Sequence, residues 1–172
     1  NGKNDLACHL QIASLGKDTI TIRPLPGYPV IRDLIVDMDE FYRALTRVLP
    51  WFVRKSPFTD REIPQSPADR DKIDNAVNCI LCGLCVAACP VARLNPAFTG
   101  PAALAKLYRF LADPKESRPG RTLEQEDSAA GMWGCHTIMR CVEACPKQVR
   151  PADGIRGLRW KLLSQRIKRI LG

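Results

Sequence analysis

The sequence predicts an α+β chain in two parts, a small β segment over residues 1–38 and an all-helical domain over residues 39–172. Two observations carry that expectation. The first forty residues alternate apolar and polar positions between turn-forming prolines and glycines, whereas from Asp39 onward apolar residues recur at three- and four-residue steps. A chain of 172 residues with 45% hydrophobic residues can also bury one sizeable core or two small ones, which excludes disorder along its whole length.

Residues 19–23, Thr-Ile-Thr-Ile-Arg, read as a strand, residues 24–29 as a turn-rich break, and residues 30–36 as a second extended or mixed segment. Asp39 is placed to cap a helix carrying Phe41, Tyr42, Leu45, Val48 and Leu49, which Pro50 stops or kinks. Residues 54–69 hold Pro57, Pro64 and Pro67 among charged and polar residues and read as an exposed connector. A short helix follows over residues 68–77. Another spans residues 101–112, where Leu104, Leu107, Tyr108 and Leu111 share a face that reads as core, and Pro114 ends the pattern. Pro151, a favoured first helical residue, opens a last helix that runs to the end, with Ile155, Leu158, Leu162, Leu163, Ile167 and Ile170 on one side.

The net charge of +8 is concentrated in that last helix. Residues 147–172 contain Lys147, Arg150, Arg156, Arg159, Lys161, Arg166, Lys168 and Arg169 against Asp153 alone, which places +7 of the total there. Such a helix suits a membrane surface, an acidic partner or nucleic acid, and its plain alternative is a solvated face. Residues 75–92 carry no charge, but four cysteines, two asparagines, Gly83 and Pro90 argue against a membrane span there. No signal peptide or lipidation motif is present, and Asn1 in place of a methionine reads as a fragment edge.

Seven of the eight cysteines fall in two tight runs. Gaps of two, two and three residues suit metal ligation, whereas disulfides between such close neighbours would be strained, so the chain is expected in a reducing compartment. The first run, Cys79-x2-Cys82-x2-Cys85-x3-Cys89-Pro90, has the spacing of a bacterial-type cluster-binding run whose fourth cysteine ligates the other cluster. The second, Cys135-x2-Ile138-x2-Cys141-x3-Cys145-Pro146, repeats it with isoleucine at the second position. If the ligands cross over, Cys79, Cys82, Cys85 and Cys145 hold a 4Fe-4S cluster. Cys89, Cys135 and Cys141 then hold a cluster one ligand short, and since an aliphatic side chain cannot bind iron, that cluster is expected to be 3Fe-4S. Two structural zinc sites are the alternative, but the three-thiolate site would need His136, which adjoins Cys135 in sequence and is awkwardly placed for the same tetrahedral ion. No Ser-His-Asp, paired-carboxylate or phosphate-loop constellation accompanies the runs, so the expectation is electron transfer without substrate chemistry on this chain.

The chain resembles the iron-sulfur subunit of succinate dehydrogenase and fumarate reductase, the respiratory complex II family. The resemblance rests on the stretch from Asn1 through Cys8, residues 23–34, Cys79 through Pro90, Gly100-Pro-Ala-Ala103, Cys135 through Cys141, and Cys145-Pro-Lys147, and it covers nearly the whole chain. It implies the C-terminal part of a plant-type ferredoxin (β-grasp) domain followed by a bacterial-ferredoxin-like two-cluster domain. It also implies an electron route between a flavoprotein subunit, which binds FAD and succinate or fumarate, and a membrane quinone through 2Fe-2S, 4Fe-4S and 3Fe-4S clusters. Cys8 matches one ligand of the 2Fe-2S site, and its other ligands would lie upstream or on a separate chain. Pro90, His136, Ile138 and Arg159 match positions near the quinone. Arg93 and Leu94 stand where ubiquinone-using members usually have two tryptophans, which argues for menaquinone. The resemblance implies membrane-anchor subunits and a peripheral place on the cytoplasmic face of a bacterial inner membrane, or alternatively the matrix face of the mitochondrial inner membrane. Cluster subunits of heterodisulfide-reductase-like or glycolate-oxidase-like complexes would normally carry two complete cysteine runs, and with aromatics at only 6% no nucleic-acid partner is expected. His9 is expected on the surface, and Trp51, Trp133 and Trp160 as packing or interfacial anchors.

Overall fold

A computed structural model describes residues 4–16, 18–54, 61–118 and 120–172. A 3-10 turn, Ile12–Leu15, precedes the two strands β1 (Val30–Arg32) and β2 (Ile35–Val36). Eight helices follow among the described residues: α1 (Asp39–Arg47), α2 (Pro67–Val77), α3 (Leu84–Ala87), α4 (Pro90–Leu94), α5 (Pro101–Leu111), α6 (Arg121–Gln125), α7 (Arg140–Glu143) and α8 (Pro151–Leu171). The expected α+β class holds at this level.

The strands form an antiparallel hairpin pairing Val30 with Val36 and Arg32 with Ile35, and Asp33 takes a left-handed turn with φ of 51°. The strand expected over residues 19–23 is not formed. That segment has alternating apolar residues but no partner strand among the described residues, and an unpaired strand leaves its backbone groups without ladder bonds. Asp39 is not the cap of α1 either. It is the first helical residue, and the Asp37 carboxylate accepts its N–H at 2.8 Å. For α2 the Ser66 hydroxyl accepts from Asp69 N–H at 3.1 Å and Pro67 opens the helix. The expected connector over residues 54–69 lies partly outside the described residues, Pro57 included, and its last residues already belong to α2.

Helix α5 sits at the centre and packs most extensively on α8. Phe41 and Leu45 of α1, Val48 just after it, Leu104 and Leu107 of α5, Leu123, Met132, and Ile155, Leu158 and Leu162 of α8 close one apolar core, against which Cys85, Cys89 and Cys135 also pack. Gly157 leaves the space that the Tyr108 ring fills, so α5 and α8 approach closely.

The expected single apolar side of α8 divides in two. Ile155, Leu158 and Leu162 are buried, but Leu163, Ile167 and Ile170 face outward. The reason is geometric. One residue rotates the helix by about 100°, so Leu163 leaves the face of Leu162. At 21 residues α8 also outruns the 11-residue α5 by roughly 15 Å. Arg166 pairs with Asp127 and Arg169 with Glu124, which ties the protruding half back to the body. No helix among the described residues is long and apolar enough to cross a membrane.

Candidate metal centre

The two cysteine runs fold into the same loop. In the first, Leu81 and Gly83 take left-handed backbone angles, φ 58° and 77°; in the second, Thr137 and Met139 do the same at 57° and 67°. These are the third and fifth positions of both runs. The short helices after them also match: Val86 and Ala87 N–H both donate to Gly83 O, as Val142 and Glu143 N–H do to Met139 O. Cys89 N–H donates to Val86 O at 3.0 Å, and Cys145 N–H to Val142 O at 3.2 Å. Ile138 therefore occupies the loop position that Cys82 holds in the first run.

The left-handed turns bring the cysteines of each run inward. Cys79, Cys82, Cys85 and Cys145 wall one cavity. Cys89, Cys135 and Cys141 wall a second, together with Ile138. Each fourth cysteine thus joins the other run's cavity. The fourth residue begins after a short helix, and its backbone has already turned away from its own loop: Cys89 precedes α4 in extended conformation, φ −82° and ψ 115°. Cys85 lies close enough to Cys141 to feel its charge as well as those of Cys79, Cys82 and Cys145, so the two cavities adjoin.

Burial is the first cause that raises the thiol pKa values here. It lifts Cys85 well above the ordinary thiol range, with its four cysteine neighbours adding to the effect. Cys141 is pushed up to about 11, first by burial and then by Cys135 and Cys89, while the Ala152 N–H at the start of α8 works in the opposite direction. Cys82 is raised by burial, opposed by a hydrogen bond from the Leu84 backbone. A bound cationic group would compensate thiolates at Cys82, Cys85 and Cys141 against this burial. Among the described residues, no three His, Cys, Asp or Glu side chains converge on a point that one metal ion would fill. The cysteines surround two cavities instead.

Of the residues expected near a quinone, Pro90, His136 and Ile138 line the second cavity, and Ile138 is 49% exposed. Arg159 does not line it. Its guanidinium donates to the carbonyls of Met132 and Cys135, both at 2.6 Å. Leu94 is on the surface and the Arg93 stem lies against Gly27. Cys8 and His9 are both exposed and belong to neither cavity. Trp51 and Trp160 are exposed, while Trp133 donates to Asp127 at 2.7 Å.

The sequence reasoning missed Tyr28. Its hydroxyl donates to Gly83 O at 3.2 Å in the first loop, and burial first, then Cys85 and Cys82, raises its pKa. It missed the backbone donors too, among them Thr137 N–H on Cys135 Sγ at 3.4 Å. Only Gly83, a glycine inside the first run, signalled a left-handed residue.

A profile of the 4Fe-4S dicluster domain matches residues 75–149, and one of the 2Fe-2S iron-sulfur cluster binding domain matches residues 1–43. The chain is 42% identical over 166 residues to the succinate dehydrogenase iron-sulfur subunit of Coxiella burnetii, covering 96% of this chain and 70% of that protein. It is 36% identical over 173 residues to the fumarate reductase iron-sulfur subunit of Mycobacterium tuberculosis, covering 99% and 70%. A chain in the structure of the Mycobacterium smegmatis Sdh1 complex in the apo form superposes with a TM-score of 0.81 at 24% identity, covering 96% of this chain and 70% of that one, a likeness of fold.

Proposed function

Because the chain belongs to the family of succinate dehydrogenase and fumarate reductase iron-sulfur subunits, and is an electron-transfer component of such an oxidoreductase, we propose that it carries electrons between a flavoprotein subunit and a membrane quinone. Residues 1–38 then form the C-terminal part of a β-grasp 2Fe-2S domain with Cys8 as one ligand, and residues 39–172 the helical two-cluster domain. Cys79, Cys82, Cys85 and Cys145 hold a 4Fe-4S cluster, and Cys89, Cys135 and Cys141 a 3Fe-4S cluster.

The observation that carries this reading is the matched pair of left-handed residues in the two loops, which puts Ile138 where Cys82 stands. When bound, the clusters supply one-electron redox centres. The chain's own residues do the rest. Seven thiols divide between two adjoining cavities. Ile138 offers hydrocarbon where a fourth donor would be. Thr137 N–H on Cys135 and Ala152 N–H on Cys141 stabilise sulfur that carries negative charge. Leu84, Ala102 and Ile155 keep the cavities' inner walls dry.

A quinone, of menaquinone type given Arg93 and Leu94, fits beside Pro90, His136 and Ile138 at the mouth of the second cavity. Peripheral attachment through membrane-anchor subunits is supported by the protruding half of α8, where Trp160, Leu163, Ile167 and Ile170 are exposed among basic residues. Either face of attachment, bacterial cytoplasmic or mitochondrial matrix, is compatible with this arrangement.

Low-temperature electron paramagnetic resonance of the air-oxidised complex tests the reading. A signal from an oxidised three-iron cluster that vanishes on reduction is expected. Zinc in place of iron and acid-labile sulfide would sink it.

A further inference from the structure

Tyr28 stands outside the first cavity yet reaches its loop. The hydroxyl donates to Gly83 O at 3.2 Å, and the ring packs edge-on against Phe41 with centroids 6.5 Å apart. Gly83 O already accepts the N–H groups of Val86 and Ala87 in α3, each at 3.0 Å. The matching carbonyl of the second loop, Met139 O, accepts the N–H groups of Val142 and Glu143 and nothing further among the described residues. Tyr28 is therefore a third donor that the second loop lacks. The peptide it reaches is the one joining Gly83 to Leu84. While the carbonyl end of that amide takes the Tyr28 hydroxyl, its N–H end donates to Cys82, which walls the first cavity.

We propose that Tyr28 is a positioning residue that raises the reduction potential of the cluster in the first cavity by polarising the Gly83–Leu84 peptide that donates to Cys82. The inference rests on the ligand assignment proposed above. Two physical arguments support it. Hydrogen bonds in a chain polarise one another, each strengthening the next by roughly 10–30%, so a donor on the carbonyl makes the N–H of the same amide a better donor. A hydrogen bond to a ligand sulfur in turn favours the reduced cluster, whose added electron places more negative charge on the sulfurs. Burial favours both steps. Gly83 and Leu84 are buried, so little water competes for either end of the amide and the low local dielectric strengthens each bond.

Redox titration of the reduced four-iron signal in the intact complex is the test, with Tyr28→Phe beside the parent and the three-iron midpoint of each sample as internal reference. Phenylalanine keeps the ring and removes the donor. In Tyr28→Phe the ratio of reduced to oxidised four-iron cluster at a fixed potential should fall about threefold, equivalent to about 28 mV for one electron. The three-iron midpoint should stay in place, because Tyr28 is not among the residues that line the second cavity. A second sample carries 3-fluorotyrosine at position 28, whose fluorine makes the hydroxyl a stronger donor, and there the ratio should rise about 1.5-fold. An unmoved four-iron midpoint in Tyr28→Phe overturns the proposal, as do equal shifts of both clusters and a fluorotyrosine midpoint no higher than the parent's. If Tyr28→Phe does not retain the four-iron cluster, the fluorotyrosine sample decides by the same criterion. A parent complex lacking the four-iron signal would remove the ligand assignment and this inference together, whereas a parent signal with unmoved variants removes this inference alone.

Discussion

The Tyr28 hydroxyl rests on the Gly83 carbonyl at 3.2 Å, so a residue from the N-terminal segment holds down the loop of the first cysteine run. Gly83 has φ of +77°, and a Cβ built on it would lie 2.8 Å from Tyr28 Oη and 2.9 Å from Met38 Cε. A side chain at this position would therefore have to displace the ends of Tyr28 and Met38 as well as adopt a left-handed backbone.

Gly83→Ala should combine left-handed strain, roughly 1–2 kcal/mol, with overpacking of roughly 1–3 kcal/mol. Loss of the four-iron signal together with a lower denaturation midpoint is expected, and Tyr28→Phe in the same chain should restore part of the loss. An alanine variant as stable as the parent would contradict the close approach.

Ile138→Cys places a thiol where Cys82 stands in the other loop. The expected outcome is one more iron per chain by metal analysis, loss of the three-iron signal and a lower potential at that site. A three-iron signal that persists unchanged would show that Ile138 does not border the vacant corner.

Met139 holds φ of +67° with a side chain, at the loop position where the first run has glycine. Met139→Gly should relieve strain of about 1 kcal/mol, offset in part by the greater freedom of glycine in the unfolded chain. Urea unfolding of the cluster-loaded chain should show no destabilisation, in contrast to Gly83→Ala. A clear loss of stability would mean that the methionine side chain makes contacts outweighing the strain.

Arg118 and Glu116 form a buried ion pair, with side chains 0% and 2% exposed. Arg118 also donates to the carbonyls of Val48, Leu49 and Trp51, while Glu116 accepts the N–H groups of Val53, Ser117 and Arg118. Arg118→Met leaves a buried carboxylate and several carbonyls unpaired, which should cost roughly 3–5 kcal/mol. Arg118→Met combined with Glu116→Gln should recover a measurable part of that in calorimetry. Simple additivity of the two substitutions would contradict the pairing.

Much of the helical part was legible because local chemistry decides it. Pro101 and Pro151 each open a helix, and the apolar steps of α5 point to a core that forms as expected, whereas Pro67, read as part of the connector, opens α2. The strand over residues 19–23 failed because a strand is defined by its partner, which local alternation does not reveal. Asp39 does not cap α1: Met38 takes the cap position, and the Asp37 carboxylate accepts the Asp39 N–H. Which acceptors Arg159 reaches, the carbonyls of Met132 and Cys135, is likewise beyond residue spacing, which shows only that a basic side chain is near the loop.

By itself the sequence determined the candidate donors: seven thiols in two equal-spaced runs, one of them with a hydrocarbon in the second place. Spacing of that kind is a property of the local backbone, so it survives any arrangement of the rest. Tertiary structure realises the crossover that this spacing implies, bringing Cys145 to the first cavity and Cys89 to the second. It also decided that the outer half of α8 stays uncovered. The physical reason is that this outcome depends on where α5 and α8 meet and end, and packing between segments far apart in the chain cannot be read from the residues of either one.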